Sequence, residues 1–140
     1  MINLRTARLT AAASASMLLA GQARRRIGPR RCAPPYSDGR YGSGSGTSIR
    51  LAVLGDSGAA GLGVESPDHT MGAIIAESVS AALGRPVVLQ NHAVVGAVTA
   101  DLDAQIDRAL WSAPHAAVIF VGANDVTHLV PRSRSARLLR

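Results

Sequence analysis

Two hydrophobic rhythms alternate between residues 49 and 121. The runs Ile49-Arg50-Leu51-Ala52-Val53-Leu54, Val87-Val88-Leu89-Gln90 and Ala116-Ala117-Val118-Ile119-Phe120-Val121 are short, largely apolar and bounded by Gly or Pro, the pattern of buried strands. Between the first two, Pro67-Asp68 opens a helix. Its apolar face is Met71, Ile74, Ile75, Val79, Ala82 and Leu83, and Gly84 and Pro86 end it,. A second helix is predicted from about Thr99 to Ala113, with Leu102, Ile106, Ala109, Leu110 and Ala113 facing inward. Asp101 and Asp103 lie in its first turn, where the helix dipole favours acids, and Pro114 stops it,. Apolar strands alternating with amphipathic helices predict an α/β fold, β-α-β-α-β, whose parallel sheet is covered on both faces.

Upstream of Ile49 the pattern is different. Arg5 and Arg8 precede an apolar, small-residue run from Leu9 to Ala20, and Gly21 and Ala23 stand at small-x-small spacing. Residues 1–23 therefore read as a signal or N-terminal anchor segment, which implies export or membrane association; the alternative is an uncleaved Ala-rich helix of a cytoplasmic protein. The run is too short to span a bilayer. Residues 24–48 are rich in Arg, Pro, Gly and Ser and read as a linker. Residues 49–140 form the third segment.

Charge follows the same division. The first fifty residues hold nine arginines against one acid, Asp38, whereas the remainder holds six arginines against eight acids. The basicity belongs to the arm, where Arg24, Arg25, Arg26, Arg30 and Arg31 could meet anionic lipid headgroups at a membrane surface. A nucleic-acid reader would carry its charge on the folded face and would have aromatics for stacking; here aromatics are 3%, so no nucleic-acid partner is expected. Trp111 and Phe120 fall inside regular elements and are expected in the core rather than on a sugar platform. One cysteine, Cys32, excludes an internal disulfide and any cysteine-based zinc spacing.

A parallel sheet presents its chemistry in the loops at the carboxyl ends of its strands. Those loops are Gly55-Asp56-Ser57-Gly58-Ala59-Ala60-Gly61-Leu62-Gly63, Asn91-His92-Ala93-Val94-Val95-Gly96 and Gly122-Ala123-Asn124-Asp125. Acyl transfer needs a nucleophile at that edge and donors aimed at the developing oxyanion. Ser57, on a Gly-flanked turn, suits the first role. Its own N–H, the N–H of Gly96 and the Asn124 amide suit the second. Asp56 is expected to brace the turn.

With these three blocks in order, each after a predicted strand, the chain resembles the SGNH hydrolases, also called the GDSL esterases and lipases. Gly55-Asp56-Ser57 matches the first block, Gly96 after Asn91 the second, and Gly122-Ala123-Asn124-Asp125 the third, over about residues 49–130. The resemblance implies a flavodoxin-like three-layer α/β/α fold. It also implies hydrolysis of small-molecule or lipid esters without metal or cofactor, with Ser57 as nucleophile and Gly96 and Asn124 in the oxyanion hole.

The family's fourth block, an Asp-x-x-His that supplies the general base, does not follow the third block before Arg140, and three of about five strands are readable. Asp125-Val126-Thr127-His128 has the spacing but overlaps the third block. His92 lies in the second loop, His69 in a helix first turn and His115 before a strand, and each reads as structural. The expectation is the N-terminal part of such a hydrolase, truncated and weakly active or inactive by itself. Loss of a triad member costs about 10⁴- to 10⁶-fold in rate.

Two other readings compete. A non-catalytic remnant of the SGNH scaffold would keep the same residues. A Rossmann-like nucleotide-binding module would also place a Gly-rich turn between strand and helix. The Gly55-x-x-Gly58-x-x-Gly61-x-Gly63 spacing departs from Gly-x-Gly-x-x-Gly, however, and Gln90 and Asn91 stand where a ribose-binding acid is expected,. The chain has no Lys for a phosphate-binding loop.

Overall fold

The computed structural model describes residues 33–140; the predicted signal or anchor segment, the arginine cluster and Cys32 lie outside them. Four strands form one sheet: β1 (Gly39–Tyr41), β2 (Ile49–Gly55), β3 (Val87–Asn91) and β4 (Ala116–Phe120). Their order is β1-β3-β2-β4. β3 and β4 both run parallel to the central β2, with Val53 opposite Asn91 on one side and Gly55 opposite Phe120 on the other. The helices are α1 (Ser57–Ala60), α2 (Met71–Leu83), α3 (Leu102–Leu110), α4 (Ala123–Thr127) and α5 (Arg132–Leu138). Short 3-10 turns at Pro67–His69 and Thr99–Asp101 lead into α2 and α3.

Alternation along β2 builds the three layers. Leu51 and Val53 join Val87 and Leu89 against Ala59 of α1 and Ala76 of α2 on one face. Ala52 and Leu54 meet Leu102 and Ala109 of α3 on the other. A residue-by-residue flip is what strand geometry requires, and it makes β2 the spine of both cores.

The three expected strands are present, and a fourth comes from the predicted linker. β1 pairs antiparallel with β3, Gly39 opposite Leu89 and Tyr41 opposite Val87. Tyr41 packs against the core, and its hydroxyl donates to the Ser37 carbonyl at 2.7 Å. The Gly/Ser tract then follows the tail of α2. Gly42 N donates to Glu77 Oε1 at 3.1 Å, and Ser80 Oγ donates to the Ser43 carbonyl at 3.2 Å. The composition misled because its glycines allow close approach, not flexibility. At Gly42 (φ +70°) a Cβ would run into the Ser80 side chain, and at Gly44 (φ +130°) into the Gly84 carbonyl,.

The helix faces also differ from expectation. α2 buries Gly72, Ala73, Ala76 and Ser80, while Ile74 and Leu83 are exposed. The helix lies so close to the sheet that small residues fill the contact: a Cβ on Gly72 would stand 3.2 Å from Leu89 and 3.3 Å from Val53. In α3 the inward positions are Leu102, Gln105 and Ala109, and Leu110 points out. α3 ends at Leu110 rather than Ala113, which has φ +46°. Trp111, expected in the core, is 92% exposed beyond the end of α3, and Phe120 is half-exposed on the last strand. Among the described residues β4 is bordered on one side only, so its apolar sequence is largely exposed.

Candidate active site

Because β3 and β4 are parallel to β2, the three predicted loops leave one edge of the sheet. Each is locked to its neighbour by hydrogen bonds, beginning at the end of β2. Gly55 has φ +140°, and a Cβ there would run into the Phe120 carbonyl; only glycine lets β2 and β4 come this close before the turn. Asp56 N donates to that same Phe120 carbonyl at 3.0 Å. Asp56, buried, caps α1, its Oδ1 accepting from Gly58 N at 2.9 Å. A carboxylate thus occupies the helix end where a nucleotide phosphate would seek N–H donors. Asp56 Oδ2 is buried without a partner among the described residues.

Ser57 is therefore the first residue of α1, where a backbone N–H has no intrahelical acceptor. It is half-buried. Gly58 leaves room for the Phe120 ring, which would lie 2.8 Å from a Cβ at that position.

The second loop is tied to the first by Asn91. Its Nδ2 donates to the Ala59 carbonyl at 2.9 Å and its Oδ1 accepts from Ala93 N at 3.0 Å. Its backbone N–H donates to Asp38 Oδ1 at 2.8 Å, so the residues before β1 reach this edge too. Val94 N donates to the Gly55 carbonyl at 3.0 Å. Gly96 follows at an exposed turn with φ +88°, and its N–H has no acceptor among the described residues.

Asn124 is the second residue of α4, which follows β4. Its Nδ2 donates to the Ala97 carbonyl at 2.9 Å, which joins the third loop to the residue after Gly96. An amide nitrogen carries two protons, so one fixes the side chain and the other remains to donate. Asp125 beside it is buried and accepts from Thr99 Oγ1 at 2.8 Å, from Thr99 N at 3.1 Å and from Ser135 Oγ at 3.1 Å. Burial pushes its carboxyl upward, but these hydrogen bonds outweigh it and hold the pKa below the usual carboxylate value,. Sequence reasoning placed Asp125 as the last residue of a block and in the overlapping Asp-x-x-His spacing; its anchoring of α4 to Thr99 and α5 had no signal beyond that.

No histidine among the described residues hydrogen-bonds Ser57. His128 ends α4, exposed, with its N–H on the Asn124 carbonyl. His115 sits before β4, its Nδ1 accepting from Arg50 N at 2.9 Å, at the opposite edge of the sheet. His92 is half-buried, with Nε2 buried and unpartnered. Desolvation lowers its pKa, Asp38 opposes that and Arg108 adds to it, so the ring favours the neutral form. Sequence reasoning missed Gln105, which is fully buried and bonded to both polar atoms of the Gly55 backbone.

A three-layer α/β/α sheet with Gly-Asp-Ser, Asn91…Gly96 and Gly-x-Asn-Asp at one edge defines the SGNH class of hydrolase fold. The model of the GDSL-like lipase/acylhydrolase family matches residues 53–140, and the chain belongs to that family. It is 35% identical over 145 residues to the GDSL-like esterase Rv1075c of Mycobacterium tuberculosis, an alignment that covers 93% of this chain and 46% of that protein. Among solved structures it is similar to AlinE4, an SGNH-hydrolase family esterase (TM-score 0.59, 24% identity, 68% of this chain and 51% of that one). It is also similar to the psychrotrophic esterase EstA from Pseudoalteromonas sp. (TM-score 0.53, 22% identity, 66% of this chain and 50% of that one). The chain spans about half the length of these relatives.

Proposed function

We propose that residues 33–140 carry the nucleophile and the oxyanion donors of a serine ester hydrolase. Ser57 Oγ attacks the ester carbonyl, its proton passing to a base. The carbonyl oxygen becomes an oxyanion held by the N–H groups of Ser57 and Gly96 and the second Asn124 amide proton. Collapse expels the alcohol, which takes up that proton, and water then cleaves the acyl-serine by the same route. The observation that carries this reading is Asn124. One amide proton is fixed on Ala97 beside Gly96, so the other donor is preoriented at the edge where α1 begins.

Small-molecule or lipid esters are the substrate class, in keeping with the esterase names of the relatives. The base is the one role that no described residue fills. No described histidine reaches Ser57 through a hydrogen bond. We therefore read this chain by itself as a truncated form with weak or no turnover, about 10⁴-fold or more below an intact triad.

The test uses a p-nitrophenyl alkylphosphonate; the EstA structure is one inhibited by monoethylphosphonate. Ser57 Oγ bonds to phosphorus, p-nitrophenolate leaves with the electron pair, and the serine proton goes to solvent. Mass spectrometry after hours of incubation should find slow modification at Ser57 and none in Ser57→Ala. No modification of the wild-type chain would overturn the nucleophile assignment. Rapid turnover of a short-chain aryl ester, lost in Ser57→Ala, would overturn the reading of weak activity.

A further inference from the structure

A glutamine buried in an α/β core needs a reason, because an amide left unpaired there is destabilising. Gln105 is 1% exposed, on the face of α3 that also carries Leu102 and Ala109. Both ends of its amide go to one residue. Gly55 N donates to Gln105 Oε1 at 2.7 Å, and Gln105 Nε2 donates to the Gly55 carbonyl at 3.0 Å. That carbonyl also accepts from Val94 N at 3.0 Å.

Gly55 is where regular pairing of β2 ends. On the β3 side the register stops at Val53 opposite Asn91, so the Gly55 backbone receives a side chain where a neighbouring strand no longer supplies partners. The residue stands at φ +140°, two positions before Ser57, and Asp56 N is already held by the Phe120 carbonyl. Gln105 thus fixes the backbone immediately ahead of the Ser57 turn from the α3 side, while β4 fixes it from the other.

We infer that Gln105 is a positioning residue for Ser57: its two-point bond to Gly55 sets the angle at which α1 presents the serine. The inference rests on the assignment of Ser57 as nucleophile. A leucine at 105 would fill similar space but leave Gly55 N without its acceptor. A glutamate kept neutral by burial would offer one acceptor and one O–H donor, as the amide does.

The experiment compares the rate of Ser57 modification by a p-nitrophenyl alkylphosphonate in the full chain and in Gln105→Leu, Gln105→Met, Gln105→Glu and Leu89→Ala. Rates are read well below each variant's melting temperature, and amide resonances of Gly55, Asp56 and Ser57 are recorded in parallel. Leu89 is buried on the opposite face of the sheet, so Leu89→Ala reports destabilisation without loss of the clamp. Gln105→Leu and Gln105→Met should be modified about ten- to a hundredfold more slowly, the scale of small misplacements at a reacting atom, with the three amide resonances displaced. Gln105→Glu should return within about threefold of wild type while its carboxyl is neutral and slow again once it ionises. Leu89→Ala should stay within about twofold. Wild-type rates in Gln105→Leu or Gln105→Met, or an equal slowing in Leu89→Ala, would overturn the positioning role and leave Ser57's intact. An unmodified wild-type chain would overturn the Ser57 assignment and this role with it. If Gln105→Leu does not fold, Gln105→Met and Gln105→Glu decide the matter.

Discussion

The two edges of the sheet are finished in opposite ways. The β1 edge is a three-residue strand beside a chain that turns back over α2, with Arg40 donating to Ser48 Oγ at 2.7 Å and Arg85 to the Thr47 carbonyl at 2.6 Å. Short, charged and covered is how native sheets avoid pairing with other chains. The β4 edge is five residues of Ala-Ala-Val-Ile-Phe, with Ile119 and Phe120 about half-exposed and Val126 and Leu129 out beyond it. The difference shows where stability is concentrated. Leu51, Val53, Val87 and Leu89 are closed in by β1, α1 and α2, whereas β4 contributes one face of one strand.

The largest break in that contrast should come from Leu89→Ala, at about 2–5 kcal/mol for a fully buried leucine. Phe120→Ala, half-exposed, should cost about 1–2 kcal/mol. Denaturant midpoints of the two variants measure the gap, and equal costs would mean the edges are equally consolidated. Next in size is Gly42→Ala, about 1–2 kcal/mol, because the residue must keep φ +70° and its Cβ meets the Ser80 side chain,. No loss in thermal unfolding would show that the Gly/Ser tract does not hold the β1 edge.

Asp125 sharpens the comparison on the β4 side, where it anchors α4. Its folded pKa is depressed, so the stability it contributes is present above the unfolded carboxylate value near 4. That stability is lost as pH falls through the lower folded value. Asp125→Asn should lower the melting temperature at pH 7 and flatten its decline below about pH 4; parallel pH curves for the two proteins would refute the clamp. The smallest effect on stability belongs to Ile119→Lys, within about 0.5 kcal/mol. It should nevertheless reduce self-association measured by sedimentation, since it places a charge on the exposed edge.

Much of this was legible in the sequence. Unbroken apolar runs located β2, β3 and β4, and the sheet rule directed attention to Ser57, Gly96 and Asn124. What escaped depended on distance between elements. Periodicity ranks residues by hydrophobicity, so it chose Ile74 and Leu83 for a helix face that the close approach of Leu89 reserves for Gly72 and Ala76. It left Gln105 off the buried face of α3, because its partner is a backbone group fifty residues earlier. It read Gly39-Arg40-Tyr41 as linker because three residues beside a glycine tract carry no period. Trp111 fell inside a helical pattern that ends one residue sooner.

The interleaved order β1-β3-β2-β4 has a consequence for synthesis. Gly39 pairs with Leu89, about fifty residues later in the chain. At roughly 5–20 residues per second of translation, the first strand to leave the ribosome waits several seconds for its partner. During that interval Tyr41 and the glycine tract have no sheet to join, and whatever precedes them is tethered to an unfastened end. A chaperone acting on the nascent chain would meet Gly39–Tyr41 in that window, before β3 emerges and pairs with them.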